Sequence, residues 1–258
     1  MALENSLPLR TMQEIILEDL GLVGYKEAWD YQEGLLQQNV RIKAEARARH
    51  DAGDVAAMPG TVHHLLFLEH LPVLTLGKSG HEENVLISQA EMEQAGIQYF
   101  KTNRGGDITF HGPGQLVGYP ILDLEKFYTD IGRYLRNLEE VIIRTMAMYG
   151  LQGHRSPGET GVWLDPGVKG QERKICAMGV RCSRWITMHG FAFNINTNLD
   201  YFHHIIPCGI RNKQVTSMQR ELGREVPVEE VKAIVRSKFE EVFGAKILVR
   251  GVPVPARG

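Results

Sequence analysis

Apolar positions along the chain recur with two periods, one helical and one strand-like, and the two alternate from end to end. Tyr25, Trp29, Gln32, Leu36 and Val40 share one helical face. A longer stripe, Ile131, Leu135, Leu138, Ile142, Met146 and Tyr149, is opened by Asp130 as N-cap and closed at Gly150. Pro227 opens a third helix, with Val231, Val235, Phe239 and Val242 on one stripe and Gly244 beyond its end. Ser88 with Glu91 forms a capping-box pattern before a short helix that Gly96 ends, and Ile97 to Lys101 then reads as a strand. Strand-length apolar pieces follow at His64 to Leu68, Val73 to Leu76, Leu116 to Leu122, Gly161 to Leu164 and Lys174 to Val180. Phe191, Phe193 and Ile195 alternate as a half-buried strand does. The turn Asp165-Pro166-Gly167 predicts a hairpin, hence antiparallel pairing in part. This interleaving predicts an α+β fold, a mixed β-sheet with packed helices, as a single domain over residues 1–258. The stretch Ala44 to Gly60, dominated by Ala, Arg, Asp and Gly, reads as a surface excursion rather than a domain boundary.

Composition narrows the function classes. With 258 residues, 43% of them hydrophobic, the chain can bury a full core. Its 29 basic and 31 acidic residues give a formal charge of -2, so no global field favours nucleic acid; Arg41, Lys43, Arg47 and Arg49 read as a solvated helix end. The opening MALENSLPLR has neither a basic n-region nor an apolar h-region, and no apolar run approaches the length of a membrane span, so a soluble cytoplasmic protein is expected. Three cysteines, 176, 182 and 208, with no C-x-x-C pair, argue against a disulfide framework or structural zinc.

Two constellations carry candidate chemistry. "RGGDITFHGPGQLVGYPI", Arg104 to Ile121, sets five glycines around His111. A dinucleotide fingerprint fails there, because Val117 stands where the third glycine from Gly112 would be; Gly77-Lys78-Ser79 fails as a P-loop, because Pro72 stands where its first glycine belongs. Ten histidines include no H-E-x-x-H, and His203 and His204 would point to opposite faces of a strand, so no metal is expected. What remains is close approach of backbone to an uncharged ligand, or a plain glycine-rich connection between two strands. The second constellation joins "KICAMGV" (174 to 180) with "IIPCGI" (205 to 210). Lys174 must either reach solvent at a strand edge or hold a partner. Cys208, between Pro207 and Gly209, sits on a turn suited to face a cleft, whereas Cys176, two residues from Lys174 and sharing its strand face, is the rival nucleophile or a packed thiol. Cys182 is assigned to structure. An ammonium near a thiol favours thiolate, so lysine plus cysteine suffices for nucleophilic acyl transfer without metal or cofactor.

These segments resemble the lipoyl(octanoyl) transferase family. The resemblance rests on "LEHLPVLTLGKSG" (68 to 80), "RGGDITFHGPGQLVGYPILDL" (104 to 124), "GVW" (161 to 163), "KICAMGVRCSRWITMHGFAFNI" (174 to 195) and "IIPCGI", in family order over Leu65 to Gln219. It implies a fold related to biotin and lipoate ligases, a covalent thioester on Cys208 and Lys174 as its activating partner. It also implies an acyl pocket lined by Arg104, Gly105, Gly106, Asp107, Ile108, Thr109, Phe110 and His111, by Ala177, Met178 and Gly179, and by Gly190, Phe191 and Ala192. Octanoyl-acyl carrier protein would be the donor, and lipoyl domains of 2-oxoacid dehydrogenase complexes and the glycine cleavage H protein the acceptors, with no cofactor and a monomeric enzyme. His111 would either donate to a developing oxyanion or wall the pocket, and His189 is assigned to pocket structure. Departures from the family pattern are the longer 44–60 stretch and Leu71, where a second proline is frequent. An ATP-dependent lipoate ligase, a cysteine thioesterase using His203 or His204, and a non-catalytic binding module are the alternatives.

Overall fold

Residues 63–70, HHLLFLEH, alternate between two cores: Leu65 and Phe67 join one apolar cluster, Leu66 and Leu68 another. A strand buried in this way needs cover on both faces, and the helices supply it. The computed structural model describes residues 12–54, 60–206 and 214–250. In chain order the elements are β1 (Gln13–Val23), α1 (Tyr25–Asp51), β2 (His63–His70), β3 (Val73–Leu76), α2 (Gln89–Gln94), β4 (Gln98–Lys101), β5 (Ile108–His111), β6 (Gln115–Ile121), α3 (Ile131–Ala147), β7 (Val162–Leu164), β8 (Arg173–Ser183), β9 (Ile186–Asn194), β10 (Gln214–Val215), α4 (Met218–Leu222), α5 (Val228–Phe243) and β11 (Ala245–Val249). Among the described residues the strands form a mixed sheet ordered β10-β8-β9-β6-β2-β1-β11, with β7 also paired to β8, and a small sheet ordered β4-β3-β5.

Helices α3 and α5 cover one face of the large sheet through Tyr134, Leu138, Ile142, Val235 and Phe239, and α1 covers the other through Ala28 and Leu36. The expected α+β class is therefore observed, with β9 corrected in one respect: every residue of it is buried, because Phe191 and Phe193 face α3 and α5 while Ile186, Met188 and Ala192 face α1. Capping follows the sequence closely. Asp130 accepts from Arg133 N–H, Ser88 and Glu91 form a reciprocal capping box, and α5 ends at Gly244 in the left-handed region (φ +60°). The first half of the 44–60 stretch is not an irregular excursion: α1 continues to Asp51, as its Ala- and Arg-rich composition permits. Nor is Lys43 a solvated end charge, since its ammonium reaches Asp123 Oδ1 (3.0 Å) and Glu125 Oε2 (2.9 Å), tying α1 to the segment after β6. The pair β7–β8 is antiparallel across the Asp165-Pro166-Gly167 connection, as expected.

Candidate active site

Where the two sheets meet, a cavity of 760 Å³ opens, and the glycine-rich segments converge on it. Arg104, Gly105, Gly106, Asp107, Ile108, Thr109 and His111 line one side; Ala177, Met178 and Gly179 of β8 and Gly190, Phe191 and Ala192 of β9 line another; Lys174 completes that wall. Phe110 is the exception. Strand alternation turns it away from Thr109 and His111 into the core under β3, where it stacks on Tyr201 at 4.5 Å between centroids. Cys208 lies outside the described residues.

Two of these glycines have protein backbone where a side chain would stand. A Cβ on Gly179 would lie 2.6 Å from Gly105 O, and one on Gly190 would lie 2.2 Å from Gly118 O. The 104–107 loop thus packs directly on β8, with Gly105 N–H donating to Val180 O at 2.9 Å. It is also stitched to 77–79 by Lys78 N–H to Arg104 O (2.9 Å) and Gly77 N–H to Asp107 O (3.1 Å). At Gly179 and Gly190 the space a Cβ would need is taken by neighbouring backbone.

Lys174 is 9% exposed and sits inside the sheet, paired to Trp163 of β7 on one side and Val215 of β10 on the other, so the solvent edge is excluded for it. A register shift in the β7–β8 ladder, Val162 opposite Cys176 but Trp163 opposite Lys174, places an extra residue on β8. The bulge separates the two side chains that a regular strand would have aligned. Lys174 lines the cavity, whereas Cys176 is fully buried in the core beneath α3, and burial pushes its thiol pKa up. Cys176 is thereby a packed thiol.

A chain of hydrogen bonds settles the state of His111. Asn194 Nδ2 donates to Thr216 O (3.0 Å), and Gln115 Nε2 donates to Asn194 Oδ1 (2.9 Å) and Phe110 O (3.1 Å). Gln115 Oε1 is then the acceptor for His111 Nδ1–H (2.8 Å). Arg104 Nη2 donates to Thr75 Oγ1 (2.9 Å), whose own hydrogen goes to His111 Nε2 at 3.3 Å. Desolvation, reinforced by His70 and Arg104, holds the imidazole well below its ordinary range, so the ring is neutral and both nitrogens are engaged. With Nε2 accepting from Thr75 and Nδ1–H donating to Gln115, both ring nitrogens are engaged in the wall of the cavity. His189, at φ +57°, also lines the cavity; its Nε2 donates to Asn103 Oδ1 (2.9 Å) and burial lowers its pKa to about 3.

The sequence motifs do not single out Gln115, Asn194, Tyr25 or Tyr119 as lining residues, yet all four line the cavity. Tyr25 stacks on His111 (6.1 Å, 12°) and Tyr119 donates its hydroxyl to His70 Nε2 (2.8 Å). The available signal was polar side chains in the otherwise apolar strand QLVGYPI, which is buried throughout. Among the described residues no three His, Cys, Asp or Glu side chains converge as metal ligands do, and no helix is long and apolar enough to cross a membrane.

Two mixed sheets thus meet at a cavity that bears Lys174. Residues 24–240 match the lipoyl protein ligase A/B catalytic domain, and the chain belongs to that family. Within it, the chain is 53% identical over 236 residues to an octanoyltransferase of Christiangramia forsetii, spanning 91% of this chain and 98% of that one. It is 54% identical over 237 residues to an octanoyltransferase of Flavobacterium johnsoniae, spanning 92% and 99%. Among solved structures, the bipartite lipoate protein ligase of Thermoplasma acidophilum shares the fold with a TM-score of 0.64 at 17% identity, over 94% of this chain and 88% of that one. Lipoate-protein ligase A bound with ATP shares it with a TM-score of 0.64 at 14% identity, over 94% and 90%.

Proposed function

We propose that this chain is an octanoyltransferase that moves an octanoyl group from the thioester of acyl carrier protein to a lysine of lipoyl domains, through a thioester on Cys208. The observation that carries the proposal is Lys174 in the wall of a 760 Å³ cavity built from the family's motif segments, in a chain about half identical to octanoyltransferases over nearly their whole length. Support for Cys208 comes from its flanks: Phe202 before it and Val215 after it line the same cavity, and Val215 pairs with Lys174.

The chemistry is acyl exchange in two halves. Lys174 as ammonium stabilises the Cys208 thiolate, which attacks the octanoyl carbonyl; the C–S bond to the carrier breaks and the departing thiolate takes the proton from Lys174. Lys174, now neutral, accepts a proton from the acceptor lysine as its amine attacks, the Cys208 thioester breaks, and the thiolate–ammonium pair is restored. The acceptor, whose pKa in water is about 10.4, first releases one proton to solvent, and Lys174 takes the other as the neutral amine attacks and the amide forms. Residues 1–258 act on this account as one catalytic domain, monomeric and cytoplasmic, on lipoyl domains of 2-oxoacid dehydrogenases and on glycine cleavage H protein.

Intact mass after incubation with octanoyl-acyl carrier protein tests the route. The expected result is a hydroxylamine-labile octanoyl adduct that survives Cys176→Ser, is lost in Cys208→Ser and passes to a lipoyl domain. An adduct that requires Cys176 would overturn the nucleophile assignment; no adduct, with transfer supported by ATP and free octanoate, would make the chain a ligase.

A further inference from the structure

Trp163, the aromatic residue of "GVW", has no part in the two steps above, yet it is the side chain on which Lys174 rests. Its ring is 2% exposed, and Lys174 Nζ lies over it at 4.5 Å from the centroid. The β7–β8 ladder builds this contact by pairing the two residues, and the bulge beside them sends Cys176 into the core instead. At this distance the ring quadrupole attracts a cation, and the attraction strengthens when water is excluded.

We propose that Trp163 is a positioning residue for acyl transfer, holding Lys174 over its face and favouring the ammonium of the resting thiolate–ammonium pair, an inference that rests on the Cys208–Lys174 chemistry above. Its effect belongs to one half-reaction. Acyl-enzyme formation needs the thiolate, and a face that favours ammonium over neutral amine raises the share of the pair held as thiolate and ammonium before attack, so the aromatic face assists it. The second half starts from neutral Lys174, which the face does not favour.

Other ionisable groups share the surroundings of Lys174. On its own strand is Cys176, and behind it α3 contributes Glu139, which accepts from Gly161 N–H at 3.0 Å. From the small-sheet side Arg104 and Asp107 share the cavity, as do Glu159 of the loop before β7 and Glu83 and His81 beyond β3. His111 of β5 and His189 of β9 are held neutral by burial, and β10 presents no ionisable side chain at Gln214 or Val215. None of these charges changes when fluorine is added to the indole, which isolates the contribution of the ring.

Tryptophan carrying one, two or three fluorines, introduced at position 163 alone in the full chain, weakens the quadrupole stepwise with little change of shape. The rate of octanoyl-enzyme formation is read by rapid quench and intact mass across pH, and transfer from preformed acyl-enzyme to a lipoyl domain is read separately. Acylation should fall with each fluorine, about tenfold over the series. Its alkaline limb should move to lower pH while the transfer half is not slowed, and Trp163→Tyr should keep more acylation than Trp163→Leu. Equal acylation rates and an unmoved limb across the fluorine series, in protein whose melting temperature matches wild type, would overturn the inference while leaving the acyl-enzyme route intact. Absence of any acyl-enzyme in the wild type would instead remove the Cys208–Lys174 chemistry itself, and this inference with it.

Discussion

Phe110 stands between Thr109 and His111 and yet belongs to a different environment from both. Its ring is buried against Tyr201 and Phe202, on the face of β5 opposite Thr109 and His111. A motif reads as a continuous string, whereas a strand divides it into two faces, so membership of "RGGDITFH" does not make a residue a lining residue. Phe110→Leu should therefore cost about 1–2 kcal/mol of stability in urea unfolding while leaving KM for the acyl donor unchanged. A raised KM with unaltered stability would place the ring in the cavity after all. Lys174 illustrates the opposite case. Its chemistry was legible as an unusual charge in an apolar strand, but its burial came from neighbours at positions 163 and 215, which no local pattern predicts. Replacing it with methionine, close in length but without a proton to hold, should abolish octanoyl transfer with the fold retained, as measured by activity beside far-UV circular dichroism.

At the scale of elements, Glu139 on α3 shows how one side chain holds a wall of the site. Its carboxylate is fully buried and accepts from Gly161 N–H (3.0 Å), while Arg136 (2.9 Å) and Arg155 (3.1 Å) pair with it. These contacts clamp residues 155–161, which carry Glu159 and Thr160 along the cavity mouth and lead into β7. Desolvation raises the Glu139 pKa and the amide and guanidinium groups lower it, so the group is held by its partners rather than by solvent. Glu139→Ala should cost about 3 kcal/mol and speed amide hydrogen exchange across 155–161 before other segments. Unchanged exchange there would show that the loop is held by other contacts. Helix limits were readable in advance because caps are local: Asp130, Ser88, Pro227 and Gly244 each act within a turn of their own position. Strands β1 and β11 escaped notice because their partners are remote. Each pairs in parallel, β1 with both β2 and β11, and β1 carries Glu18 inward, where His64 Nδ1 lies 3.0 Å from Oε1 and Tyr31 donates to Oε2 at 2.9 Å.

For the molecule as a whole, the buried histidines set a pH dependence. Burial lowers His63 and His70 to a pKa of about 4 and His189 to about 3, from an ordinary value of 6.5. Above pH 6.5 all three are neutral folded or unfolded and contribute no slope. Below it the unfolded chain binds protons that the folded chain does not, so stability falls as the pH drops from 6.5 towards 4, each group contributing about 1.4 kcal/mol per pH unit. Below the folded pKa the loss levels off. Urea midpoints at pH 7.5, 6 and 5 should decline in that order, and His70→Gln should flatten the slope; midpoints that do not decline below pH 6.5 would mean that these rings take up protons in the folded state.

The amino-acid sequence by itself determined the helices and their caps, most strands, the α+β class, and the motif segments that line the cavity, because each of these follows from period, composition or a motif read within a short span. Only the tertiary structure decided which of those residues share a cavity. The bulge in β8 parts Lys174 from Cys176, the ladders with β7 and β10 bury the lysine over Trp163, and burial keeps His111 neutral within the Thr216–Asn194–Gln115–His111–Thr75–Arg104 chain of hydrogen bonds. The physical reason is the same throughout: side-chain direction and burial are set by partners distant in the chain, and a sequence records its neighbours only along one dimension.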